Sequence, residues 1–227
     1  GDKCTIARVV DTASYVATDF HQHTMLGADA PVAIRDRVIA NVSEGVEIAV
    51  ASEHNFVAEF SPLVREMHLG AHIVAVPGNE ITTDALRKPW GHVNAFPLVA
   101  DPSKPRNGAV VVKDRTAKEV LAEVRALPGA PILQVNHPRT GITGYFEQLK
   151  LDPKTGVGTE PGYDPQFDAL EVWNGRNVDD RNRVIDDFFT LLATKHPTTA
   201  TADTDTHGVV GQEAGYPRTY VRVGKDD

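Results

Sequence analysis

Six of the nine histidines stand at or near the end of a short apolar run, most with a carboxylate close by. His21-Gln22-His23 follows Tyr15 to Phe20, and Glu53-His54 follows Val46 to Ala51. Glu80 comes after His72 to Pro77, and His92 lies in Trp90 to Phe96. His137 follows Pro131 to Val135, and Asp205 with His207 follows Pro197 to Ala202. The apolar runs read as strands and alternate with helical patterns, which favours βα units over a sandwich. This spacing restricts the fold. Separated segments can supply one cluster only if their strand ends converge, and in a parallel α/β barrel the C-terminal ends meet at one mouth.

The intervening segments fit that plan. Pro31 to Val42 reads as a helix with Asp29 as its N-cap and Pro31 in the first turn. Pro62 to Leu69, Thr116 to Leu127 and Val178 to Ala193 read as further helices, the second with Val120, Leu121 and Val124 on one face. Residues 100–114 and 152–166 are rich in proline and glycine and read as loops. Thr219 to Val223 is a last strand. At 227 residues the chain suffices for one large α/β domain, and 1–227 is read as one.

The residue types point to metal chemistry. Neutral imidazole and carboxylate are ligands for Zn, Mn and Fe. His21 and His23 are two apart, so both rings leave the same face of an extended segment, and Asp205 and His207 repeat that spacing. Glu80 suits a carboxylate shared between two cations. Asp205 suits either a ligand or an acceptor for a proton from a bound water. His68, His72 and His196 fall outside the pattern and read as ordinary histidines.

A net charge of −8 disfavours a general nucleic-acid binder and leaves a small anionic substrate open, because bound cations would set the local field. The one cysteine, Cys4, excludes an intrachain disulfide. No apolar stretch approaches the ~20 residues of a membrane span. The chain opens at Gly1 with no signal peptide in view, so the expectation is a mature or trimmed form whose compartment is open.

Taken in order, the motifs resemble the PHP (polymerase and histidinol phosphatase) family. They are Asp19-Phe20-His21-Gln22-His23-Thr24, Ser52-Glu53-His54-Asn55, Gly78-Asn79-Glu80, Gly91-His92-Val93-Asn94, Asn136-His137-Pro138, Glu171-Val172-Trp173-Asn174-Gly175 and Asp203-Thr204-Asp205-Thr206-His207. The fourth and sixth look most like a stand-alone branch that includes carbamate (carbaryl) hydrolases. The resemblance implies a distorted (β/α)7 TIM-like barrel with two or three divalent ions at the C-terminal ends of the strands, zinc foremost, manganese or iron as alternatives. Carried over residue by residue, one ion takes His21, His23, Glu80 and Asp205. A second shares Glu80 and adds His92 and His137. A third takes His54 and His207, with Asp29 at a position where some members have His and Glu53 where the family usually has Asp.

The activity so implied is hydrolysis by a hydroxide bridging two ions, with Asp205 and His207 beside it. Phosphate mono-, di- or triesters are the first substrate class and carbamates, esters or amides the alternative, and one site could serve both. A non-catalytic or DNA-linked module is a third reading, opposed by the acidic charge and the full ligand set. Arg139 and Arg176 sit on loops expected to face the mouth, where they would grip phosphate or serve as solvated surface charges. Trp173, Tyr145 and Phe146 would wall an aryl substrate or fill the core. The expected partner is a small ester, with neither nucleic acid nor membrane, and the oligomeric state is open. Relatives in that branch often run longer and carry export signals, so a periplasmic or secreted origin is the matching expectation.

Overall fold

Strand residues in this chain split by side. In most strands one set is apolar and packs against helices while the alternate set is polar and buried on the other side; the runs 48–51 and 74–77 are apolar throughout. The structure is a computed structural model that describes residues 12–27, 29–83 and 87–224; Cys4 lies outside them. The strands are β1 (Tyr15–Asp19), β2 (Ile48–Ala51), β3 (Val74–Pro77), β4 (Asn79–Ile81), β5 (Val93–Phe96), β6 (Ile132–Val135), β7 (Leu151–Asp152), β8 (Val157–Gly158), β9 (Ala169–Asn174), β10 (Thr199–Asp203) and β11 (Thr219–Arg222). The helices are α1 (Ile34–Ser43), α2 (Ser61–Glu66), α3 (Ala117–Arg125), α4 (Tyr145–Gln148) and α5 (Val178–Ala193).

Two sheets result. One has the order β11-β1-β2-β3, and the other β10-β9-β6-β5-β4. β1, β2 and β3 are parallel, as are β6, β9 and β10, whereas β11 runs antiparallel to β1. β5 runs antiparallel to both of its neighbours, β4 and β6. Isolated parallel bridges, Gln22 to Thr206 and His54 to Glu80, tie the sheets together beyond β1, β2 and β10.

The architecture is thus mixed α/β, and the expected distorted (β/α)7 barrel is not confirmed. Among the described residues the ladders form two large sheets and the β7-β8 pair, and not one closed ring. The departure lies around β4 and β5. Only Gly78 separates β3 from β4. A Cβ there would stand 2.8 Å from Val50 Cγ1 and 3.1 Å from Ala51 O, so a side chain would force the backbones apart. Only residues 82–92 separate β4 from β5, fewer than the dozen or more that a parallel crossover needs, and the pair is antiparallel.

Ile81, Val93, Ala95, Leu133, Val135 and Leu170 join one buried cluster with Val120, Leu121 and Val124 of α3 and Leu191 of α5. Each large aliphatic side chain removed from water contributes roughly 1.5–3 kcal/mol. Thr116 starts α3 with a capping box to Glu119, and Asn177 caps α5 at Asp180 N. A smaller cluster of Val38, Val46, Ala49, Phe60, Val64 and Ile73 lies under α1 and α2. The alternate residues Glu80, Asn94, Gln134, Glu171, Thr201 and Asp203 are also buried. They bond to one another and to the backbone: Thr201 Oγ1 donates to Gln134 Oε1 (3.1 Å), Gln134 Nε2 to Asp203 Oδ2 (3.0 Å), and Asn94 Nδ2 to Phe20 O (2.8 Å). This polar interior is the floor of the histidine cluster.

Two local expectations also change. α1 begins at Ile34 with Ala33 as N-cap and no side-chain cap, so Asp29 does not cap it. Tyr145 and Phe146 are fully buried, and Tyr145 Oη donates to Asp164 O at 3.0 Å, which settles both as core. No helix among the described residues is long and apolar enough to cross a membrane.

Candidate metal centre

His21 and His23 extend β1 and are fully buried. Gln22 between them points the other way and exchanges two side-chain hydrogen bonds with Asn41 of α1 (3.0 and 2.7 Å). Buried Arg37, also on α1, donates to His23 O (3.1 Å) and Thr206 O (3.0 Å), fastening the segment after β1 to the segment after β10. His54 follows β2, His137 follows β6, and Asp205 and His207 follow β10. His137 and Asp205 have φ of 27° and 49°, a region that residues with side chains seldom occupy.

The expectation that every candidate follows a strand's C-terminal end fails twice. Glu80 is the middle residue of β4, and His92 precedes β5. Because β5 is antiparallel, its beginning lies at the same end as the C-termini of its neighbours. Gly91 makes the approach possible, with φ of 95° and a virtual Cβ only 2.4 Å from Tyr145 N.

The geometry converges on Glu80. Its Oε1 lies 3.1 Å from His21 Nε2, 3.1 Å from His92 Nδ1 and 3.4 Å from His137 Nε2. Its Oε2 lies 2.7 Å from His54 Nδ1 and 3.7 Å from His23 Nε2. Asp205 Oδ1 is 3.0 Å from His23 Nε2 and 3.3 Å from His21 Nε2. Asp29 Oδ2 meets His54 Nε2 at 2.9 Å and His207 Nε2 at 3.1 Å, nearer solvent. Four overlapping groups bring their donor atoms within 4.8 Å of one another: His21, His23 and Glu80; His21, His137 and Asp205; His54, Glu80 and His92; and His23, Asp29, His54 and His207.

Several of these atoms are buried yet make no hydrogen bond, among them His21 Nε2, His23 Nε2 and Glu80 Oε2. Buried polar atoms are rarely left so. Closely grouped lone pairs are what a cation requires, so the donor set fits divalent metal.

The charges agree. Burial would lower His21, but Asp205, Glu171 and Glu80 outweigh it and hold its pKa well above the ordinary value. Burial likewise opposes His54, yet Glu80 and Asp29 lift it to about 9. His23 goes the other way, and burial takes it down to about 4. Burial would raise Glu80 and Asp205, but the facing histidines hold both well below the usual carboxylate range. Asp29 is held low by His54 and His207 against its own burial. Without a cation, protons on histidine must offset this negative charge.

Other expected site residues are placed elsewhere. Glu53 is buried but turns to Thr24, whose Oγ1 donates to Glu53 Oε1, and it joins none of the four groups. Arg139, expected at the mouth, is held in an ion pair. Its Nε and Nη2 donate to Asp187 Oδ2 (2.6 Å) and Oδ1 (2.7 Å), with both side chains nearly buried, so its fork is spent within the fold. Arg176 is exposed and paired with Glu213 at 3.0 Å. The Arg181 guanidinium covers the half-exposed Trp173 ring, 4.7 Å from its centroid.

The sequence reading assigned no role to the residues that brace the cluster. Asn136 Nδ2 donates to Glu80 Oε1 (2.9 Å), and Asn174 Nδ2 to Asp205 Oδ2 (3.1 Å). Asp19 accepts from Thr204 Oγ1 (2.7 Å) and Gly215 N (2.9 Å). All three lie inside the motifs quoted above; the available signal was a polar residue within an apolar run.

No family model matches the sequence, and no curated protein matches it. Solved structures do. A two-domain protein from Bacteroides vulgatus ATCC 8482, containing a predicted PHP-like metal-dependent phosphoesterase, superimposes with a TM-score of 0.61 and 19% identity over 98% of this chain. The chain spans 63% of that protein's length. A protein from Bifidobacterium adolescentis ATCC 15703, described as a putative metal-dependent phosphoesterase, superimposes with a TM-score of 0.54 and 17% identity, covering 92% of this chain and 93% of its own. Endonuclease Q, in complex with a 27-mer duplex bearing an abasic lesion, aligns only at a TM-score of 0.42 over 71% of this chain and carries no argument. At these identities the likeness establishes a shared fold. None of the three is named a carbamate hydrolase, so that branch gains no support.

Proposed function

We propose that this chain is a metal-dependent hydrolase of the PHP type that cleaves small phosphate esters. One observation carries the reading: imidazole and carboxylate atoms from separate segments form four overlapping groups, the atoms of each within 4.8 Å of one another and several of them buried with no hydrogen bond. The shared fold with two proteins named as metal-dependent phosphoesterases supports it. The two bridged sheets read as an opened form of the (β/α)7 barrel.

His21, His23, Glu80, His92, His137 and Asp205 would hold the inner ions, and Asp29, His54 and His207 an outer one. Divalent ions there would lower the pKa of water towards about 7 and polarise the scissile oxygen. The remaining contributions come from the chain. Glu80, Asp205 and Asp29 crowd negative charge together, which histidine protons offset in the metal-free protein and which cations would offset when bound. Arg139 is engaged by Asp187. His207 Nδ1 donates to Asp205 O at 2.9 Å, since a carbonyl can only accept, and this turns Nε2 towards Asp29 and the open side. Asp205, partly exposed and ionised, stands where it can orient an attacking water.

The test is turnover of p-nitrophenyl phosphate mono-, di- and triesters and of an aryl carbamate, before and after chelation and readdition of Zn or Mn. Phosphate-ester turnover lost on chelation and restored by metal is expected. Turnover of the carbamate alone would replace the substrate assignment, and activity indifferent to chelation would overturn the metal reading.

A further inference from the structure

We infer that Glu171, which no metal group contains, is the positioning residue that aims the inner ligands. The inference rests on the metal-centre reading above. Glu171 lies in β9 and is 1% exposed. Its Oε1 is 3.0 Å from His21 Nδ1. Its Oε2 accepts from His137 N at 2.6 Å and from Asn174 Nδ2 at 3.1 Å. The same Asn174 Nδ2 reaches Asp205 Oδ2 at 3.1 Å. One carboxylate thereby fastens candidate ligands that follow three different strands, β1, β6 and β10.

Each bond has a directional consequence. A proton on His21 Nδ1 engaged by Glu171 leaves the Nε2 lone pair directed at Glu80 and Asp205, which lie 3.1 and 3.3 Å away. The bond to His137 N supports a backbone at φ 27°, where a residue with a side chain is seldom found, and so sets where that imidazole points. Through Asn174 the orientation of Asp205 depends on the same carboxylate. A second buried acid, Asp203, serves as the contrast. Its carboxylate accepts from Phe20 N (2.9 Å) and Gln134 Nε2 (3.0 Å), which bind the polar floor together.

Glu171→Gln tests the assignment because it keeps the shape and removes one acceptor. The single amide oxygen can accept from His21 or from His137 N, and the amide nitrogen then faces the other donor. Zn affinity is measured by competition with a chromophoric chelator, and ligand geometry by the visible absorption bands of the Co-loaded protein. Weakening by roughly 10–100-fold is expected for Glu171→Gln, with altered Co bands. Asp203→Asn should lower the melting temperature and leave Zn affinity unchanged. Wild-type affinity in Glu171→Gln, or equal weakening in both variants, would overturn the inference. If Glu171→Gln does not fold, Glu171→Asp, which keeps both oxygens and retracts them by one methylene, is held to the same comparison. A wild-type protein that takes up no Zn would instead sink the metal-centre reading itself.

Discussion

Replacing Arg139 by alanine separates a structural arginine from a substrate-binding one. The Arg139 and Asp187 side chains are 9% and 2% exposed and share two hydrogen bonds, of 2.6 and 2.7 Å. Removing the guanidinium strands Asp187 as an unpaired buried charge, and breaking such a pair costs about 3–5 kcal/mol. In a chain of this size each kcal/mol moves the melting temperature by roughly 2–4 °C, so a fall of about 6–20 °C is expected. The cost belongs to the stranded charge more than to the pair. Arg139→Met with Asp187→Leu should therefore recover most of the loss, since buried pairs are often replaced by apolar groups at little net cost. The assays are thermal melts of the metal-loaded proteins and steady-state turnover of p-nitrophenyl phosphate at a temperature where all stay folded. KM should be unchanged in both variants. An Arg139→Ala protein that melts like the wild type but shows a KM raised more than tenfold would refute the reasoning and return the arginine to the substrate.

Three other outcomes follow from the same geometry. Glu80→Gln should lose at least one metal equivalent by elemental analysis and reduce turnover by more than the roughly 100-fold that a supporting residue costs; a full metal complement would remove Glu80 from the centre. Glu53→Gln should keep every metal equivalent, because burial already raises this carboxyl towards its neutral form and an amide oxygen can still accept from Thr24; loss of an ion would make it a ligand. Metal uptake at pH 7 should release protons. Histidine pKa values raised in the metal-free protein, His54 to about 9, mean bound protons that a cation must displace. Apparent affinity should thus climb with pH until about 9, and titration calorimetry in buffers of different ionisation enthalpy would show whether it does not.

Residue type and spacing made much of the cluster legible. His21 and His23 share a face because one residue separates them, and the polar Gln22 turns towards Asn41. α5 covers Val178–Ala193, the bounds read from the sequence, and the structure adds its Asn177 cap. Orientation was harder. Nothing in Trp90 to Phe96 says which way the strand runs; that follows from the short 82–92 connection, and it decides that His92 enters from the start of β5. Asp29 before a proline looks like a helix cap, but two histidines from distant segments compete for the same oxygen and win. Arg139 beside a histidine motif suggests phosphate, and its partner Asp187 lies on a helix whose facing side only the packing of α5 reveals. Glu171 reads as one polar residue in a buried strand until His21 and His137 are seen on its two oxygens.

The most direct test of the account is the number of divalent ions held by the wild-type protein and by His21→Ala, measured by elemental mass spectrometry after loading with Zn or Mn and removal of excess. The account predicts two or three equivalents for the wild type and fewer for the variant, with turnover following occupancy. A wild-type protein that binds none after loading, or a His21→Ala variant with full occupancy and full activity, would contradict it.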